Sequence, residues 1–128
     1  MVAEVTAGVR VSVSTKYAPA YSNPDVQYFV FAYRITIENL NDFPVKLISR
    51  HWEIWDSLSG KRVVNGEGVV GNQPVLNPGE DYEYESACNL DSEFGGMKGK
   101  YQFVRLPEET EFEVNIPEFI FELPFRKN

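Results

Sequence analysis

Gly66, Gly68 and Gly71 stand in a G-x-G-x-x-G pattern, the glycine spacing of loops that cradle the pyrophosphate of a dinucleotide. Such a loop needs a strand running into the first glycine, a helix opening near the third, and a parallel strand after that helix. Here Gly71 is followed by Asn72-Gln73-Pro74 and then Asn77-Pro78-Gly79. Two prolines and a turn leave no room for the crossover helix, which argues against a dinucleotide-binding unit. No Gly-Lys-Ser/Thr follows, so the pattern is not a P-loop either. Two readings stay open. In one, the glycines serve a tight hairpin and a bulged strand, with Val69 and Val70 packing. In the other, the N–H groups of Gly66 to Gly71 form a helix-free nest for a phosphate anion such as pyrophosphate or a nucleotide, with Arg50 or Lys61 supplying charge.

The single histidine, His51, lies between Arg50 and Trp52. A histidine beside an arginine suits an anion or general-base chemistry. Base chemistry also needs a proton donor within hydrogen-bond reach. The simpler expectation is a hydrogen-bonded strand histidine with Trp52 in the core. Cys88 has Glu85 and Asp91 as its charged neighbours, the opposite of the cationic setting that activates a thiol. One His and one Cys exclude a thiolate zinc site, and no D-x-D-x-D-G loop offers a calcium site. No G-x-S-x-G elbow occurs. These residues predict neither a catalytic constellation nor a bound metal or cofactor.

The chain of 128 residues predicts one domain over residues 1–128, large enough for a hydrophobic core. A net charge of −7 repels phosphate backbones and speaks against general nucleic-acid binding. The lone cysteine cannot form an internal disulfide, which suits a cytoplasmic setting. Met1 to Thr6 has no basic, apolar leader pattern. No segment reaches the roughly 18 apolar residues of a membrane helix, so no membrane role by spanning helix is expected.

Period-two alternation runs from end to end and predicts the elements that position these residues. Val9, Val11 and Val13 alternate with polar residues. Phe29, Phe31, Tyr33, Ile35 and Ile37 line one face of the strongest strand. Asn39 to Pro44 reads as a turn, and Val45 to Asp56 as a strand with Trp52 and Ile54 opposite Trp55. Ser57 to Gly60 is a loop. Val63-Val64-Asn65-Gly66 reads as a strand entering a hairpin, with Asn65-Gly66 suited to a type I′ turn. Asn77-Pro78-Gly79-Glu80 fits a type II turn. Tyr82, Tyr84 and Ser86 face inward, with acids between them. Gly95 to Gly99 reads as a glycine-rich connection, and Tyr101 and Phe103 as the start of a strand. Phe112, Val114 and Ile116 give way to Phe119, Phe121 and Leu123, so the alternation flips at Pro117 and predicts a bulge or bend. Arg126 to Asn128 are expected to fray. Strands at about 8–12-residue spacing, without a long amphipathic helix, predict an all-β sandwich or barrel.

Several segments together resemble the bacterial ApaG family. They are Tyr33–Asn39, Leu47–Ile54, Val64–Pro74, Pro78-Gly79-Glu80, Tyr84-Glu85-Ser86, Gly96–Tyr101 and Phe112–Phe119, and they span nearly the whole chain. The resemblance implies a fibronectin type III/immunoglobulin-like β-sandwich of two antiparallel sheets. It implies an unsettled biochemical role, with an associated part in cobalt and magnesium resistance. Family genes stand beside those of a diadenosine tetraphosphatase and an rRNA dimethyladenosine methyltransferase. Related domains in F-box proteins and in a DNA polymerase delta-interacting protein imply a non-enzymatic module with a protein partner. The family's glycine pattern, here Gly66, Gly68 and Gly71, implies the alternative of pyrophosphate or dinucleoside polyphosphate binding. Cys88 departs from the glycine or small residue of many members. The expected interaction surface combines Arg50-His51-Trp52 with Gly66–Gln73.

Overall fold

The computed structural model describes residues 1–124, so the expected fraying of Arg126 to Asn128 lies outside the described residues. Strands β1 (Val2–Thr6), β2 (Val9–Tyr17), β3 (Phe29–Asn39) and β7 (Asp81–Leu90) form one sheet in the order β1-β2-β3-β7. Strands β4 (Val45–Asp56), β5 (Gly60–Glu67), β8 (Phe94–Arg105) and β9 (Thr110–Glu122) form the other in the order β5-β4-β8-β9. The short β6 (Val75–Leu76) pairs with the start of β4. All pairings are antiparallel, giving the expected fibronectin type III-like β-sandwich.

The alternating residues meet between the sheets. Val9, Val11 and Val13 face Ile35 and Ile37 on β3, and all are buried. Tyr33, Trp52, Phe119 and Phe121 form an aromatic knot, with Trp52 edge-on to both Tyr33 and Phe119. Full burial of each such side chain contributes about 1.5–3 kcal/mol. Tyr84 is buried while Asp81, Glu83 and Glu85 face water, as the alternation predicts. The Asn39–Pro44 turn is held by the buried Asn39, whose Nδ2 donates to the carbonyls of Phe43 and Leu76. Gly79 has φ 82°, and Glu80 N–H donates to the Asn77 carbonyl at 3.0 Å, as the predicted type II turn requires.

Two expectations need correction. Asn65-Gly66 does not turn: both residues lie inside β5, opposite His51 and Arg50. The β4–β5 reversal comes earlier, after Asp56, whose carboxylate accepts from the Leu58 N–H. Gly95 to Gly99 is not a connection but the first half of β8, which starts before Tyr101. A Cβ at Gly95 or Gly99 would strike the Trp55 or His51 carbonyl, so glycine here serves close strand packing rather than turning. β1 carries no core alternation and was not legible as a strand. Its residues are mostly exposed, and backbone pairing with β2 holds it.

At Pro117 the strand continues through a bulge. Met97 pairs with Phe119 but Gly99 with Ile116, so one strand gains a residue and the inward parity flips. The sandwich is tied at both sides: Asn115 Nδ2 donates to Glu4, and Arg62 Nη2 donates to the Asn89 carbonyl at 2.7 Å.

Candidate functional site

A second bulge decides how Arg50 and His51 are used. The β4–β8 register shifts between Leu47 and Ser49. Upstream, Val45 and Leu47 point inward. Downstream, Trp52, Ile54 and Asp56 are the buried set. Arg50 shares their parity and His51 the opposite one, so these sequence neighbours serve different faces.

Arg50 runs beneath β5. Its Nη1 donates to the carbonyls of Glu67 at 3.0 Å and Gly68 at 2.8 Å. A Cβ on Gly66 would lie 2.8 Å from the guanidinium carbon, so the missing side chain is what admits the arginine. Its charge sits beside the buried phenols of Tyr33, Tyr84 and Tyr101, all raised above the ordinary tyrosine value chiefly by burial. Tyr84 and Tyr101 share a hydrogen bond between their hydroxyls.

The glycine loop is closed on itself. Gly68 has φ 60° and donates its N–H to the Ile48 carbonyl at 2.8 Å. That bond fixes the antiparallel alternation, so Gly66 exchanges its own main-chain bonds with Arg50. Val69 and Asn72 donate to each other's carbonyls, at 2.8 and 2.9 Å. Between them Val70 (φ 47°) and Gly71 (φ 80°) are both left-handed, the pattern of a type I′ turn. The turn expected at Asn65-Gly66 therefore sits at Val70-Gly71. Val69 and Val70 also part company: Val69 is fully buried, whereas Val70 is 59% exposed at the tip. The amides of Gly66, Gly68 and Val69 are thus engaged within the fold, and the Glu67 and Gly68 carbonyls face a cation.

His51 lies on the outer face of the β5-β4-β8-β9 sheet, in a groove of about 630 Å³ lined by Ser49, Glu53, Asn65, Glu67, Lys100 and Glu113 among others. Its Nδ1 donates to Asn65 Oδ1 at 2.6 Å, and its Nε2 lies 3.7 Å from a Glu53 oxygen. Lys100 pairs with Glu113 across the groove at 3.6 Å. Its two described polar partners are thus an amide and a carboxylate, neither of them a hydroxyl or a thiol. Lys61 is the second residue of β5, opposite Trp55 and about 17 Å along the strand from Gly66. The fold therefore gathers Arg50 with Gly66 and Gly68, sets His51 on the other face, and holds Lys61 and Gly71 apart from both.

Cys88 is buried, and burial raises its thiol above the ordinary value, although Arg62 approaches its Sγ at 3.4 Å. Among the described residues no cluster of His, Cys, Asp and Glu side chains could hold a metal ion. No described helix is long and apolar enough to cross a membrane. Asp56 escaped the sequence reading. It is a buried carboxylate that accepts from Leu58 N–H, Asp91 N–H and Ser92 Oγ, and it locks the β4–β5 and β7–β8 turns together. Its only sequence signal was a polar residue at an inward position of β4.

The fold and this surface define a fibronectin type III-like domain with a polar outer groove and a rigid, clamped glycine loop. The ApaG domain matches residues 19–105. The chain is similar to the ApaG proteins of Nitrosomonas europaea (46% identity, 91% of each chain) and Bdellovibrio bacteriovorus (45% identity, 90% of each chain). It superposes on the crystal structure of the putative ApaA protein from Bordetella pertussis with a TM-score of 0.88, at 43% identity, covering 92% of this chain and 95% of that one. This chain belongs to the ApaG family.

Proposed function

We propose that this chain is a non-enzymatic protein-recognition module of the cytosol that engages its partner through the loop presenting Val70. The observation that carries the reading is the conformation of Val70. A β-branched residue in the left-handed region is strained, and asparagine or glycine would suit the position better. The side chain gains nothing in return from the core, since it is mostly exposed. Strain of this kind concentrates where a side chain serves a ligand. The loop beneath it is rigid: buried Val69 anchors it, the Val69–Asn72 bonds close it, and Arg50 clamps its carbonyls. A rigid apolar tip suits a protein partner, because little ordering entropy is lost on binding. The reduced, buried Cys88 fits the cytosol. The phosphate alternative has fewer donors to draw on, with the amides of Gly66, Gly68 and Val69 already engaged.

The test places a photo-crosslinking residue at Gln73, beside the tip, and compares adducts formed in cells with and without Val70→Asn. A discrete protein adduct lost on Val70→Asn is expected. Identical adducts in both backgrounds would overturn the reading. A pyrophosphate titration followed by amide NMR addresses the alternative: saturable shifts centred on Val70 and Gly71 would favour the anion.

A further inference from the structure

The geometry points to a second copy of this chain pairing along β5, antiparallel and centred on Val64, so that the two five-stranded sheets join edge to edge. The inference stands apart from the Val70 loop. β5 is the end strand of its sheet, with β4 as its only neighbour among the described residues. The Gly68 to Ile48 bond sets which main-chain groups face β4: those of Arg62, Val64 and Gly66 do, while those of Lys61, Val63 and Asn65 point away from the sheet. Edges of this length are commonly blunted by charge, proline or a covering loop. Here the strand holds no proline, and Arg62 turns across the sandwich to Asn89 instead of guarding the edge.

The sequence of the edge is complementary to itself. With Val64 on the two-fold axis, Val63 faces Asn65 of the partner subunit and exchanges both main-chain bonds with it. Lys61 faces Glu67 of the partner subunit, and this happens twice by symmetry. No other antiparallel register sets those two charges opposite each other. Neither Lys61 nor Glu67 makes an ion pair with a described residue of its own chain. Val63 and Val64 are 58% and 39% exposed, and pairing would cover both. Complementary charges at this spacing choose an identical strand as the occupant, because an isologous contact needs a patch that matches itself. The outer grooves holding His51 border β5 in each copy and would run together across the axis.

Sedimentation equilibrium over a concentration series tests this on the intact chain. The wild type should show a reversible monomer–dimer equilibrium. Val63→Pro removes an outward N–H that β4 does not use, so it should leave the fold intact by circular dichroism and the protein monomeric. Lys61→Glu or Glu67→Lys alone should weaken the dimer by about tenfold, and the double exchange should restore it. A wild type that stays monomeric at every concentration would overturn the inference. So would a dimer unchanged by Val63→Pro, or a double exchange that fails to rescue the single ones.

Discussion

The guanidinium of Arg50 occupies the space that a side chain on Gly66 would fill, and from there it holds the carbonyls of Glu67 and Gly68. The two residues face each other in register on β4 and β5. Each explains the other. Glycine opens the passage, and arginine closes the loop that follows.

Gly66→Ala should expel the guanidinium and destabilise the fold by about 1.5–3 kcal/mol, the scale of lost charge-assisted hydrogen bonds. Arg50→Ala should do the same. In the Arg50→Ala background, Gly66→Ala should be nearly neutral, since nothing then lies beneath the glycine. Denaturant midpoints of the four proteins measure this coupling. Additive losses would show that the two residues act independently.

Val70→Asn should stabilise the protein by about 1 kcal/mol, because it relieves a left-handed valine and makes an Asn-Gly type I′ turn. A rise in denaturant midpoint with an unchanged slope is the expected readout. Loss of stability would mean that exposed Val70 packs against something that its exposure does not reveal.

Asp56 sets part of the acid limit. Burial alone would raise its pKa, but donors from Ser92, Leu58, Asp91 and Ser59 outweigh this and hold it below the ordinary carboxylate value. A lowered folded-state pKa adds stability above the unfolded value near about 4, and that stability is lost as the pH falls through the folded value. Asp56→Asn should therefore cost about 1–3 kcal/mol at neutral pH and flatten the acid limb of the melting profile. Thermal melts across the acid range check both effects.

The phenols of Tyr33, Tyr84 and Tyr101 set the alkaline limit. Burial keeps each of them protonated above the ordinary value. Their stabilising contribution is complete below the unfolded value near about 10 and declines as the pH rises above it. Their phenolate absorbance should grow only together with loss of the β-sheet circular dichroism signal. Ionisation of all seven tyrosines before any unfolding would contradict this arrangement.

The strands with a strict inward face were legible in the chain itself. Val9, Val11 and Val13, or Phe31, Tyr33 and Ile35, carry their burial in their spacing, because a strand with one apolar face has one way to sit against a core. The type II turn at Pro78-Gly79 was equally local, since its two residues set its backbone angles. The same locality excluded a crossover helix after Gly71. What local spacing could not carry was the direction of Arg50 and His51. A one-residue bulge at Ile48 reverses parity, and only pairing with β8 reveals it. The Asn65-Gly66 step suits a turn by itself, yet β4 holds it extended, and the reversal moves to Val70-Gly71. β1 left no periodic mark because neither of its faces is core; main-chain pairing with β2 makes it a strand, and Glu4 and Thr6 accept from Asn115 of β9. The sequence by itself determined an all-β sandwich of this family and the residues that fill it. Tertiary structure decided which glycine turns, which admits an arginine, and which amides are engaged. Those outcomes depend on register between strands, a contact between distant segments that no local pattern encodes.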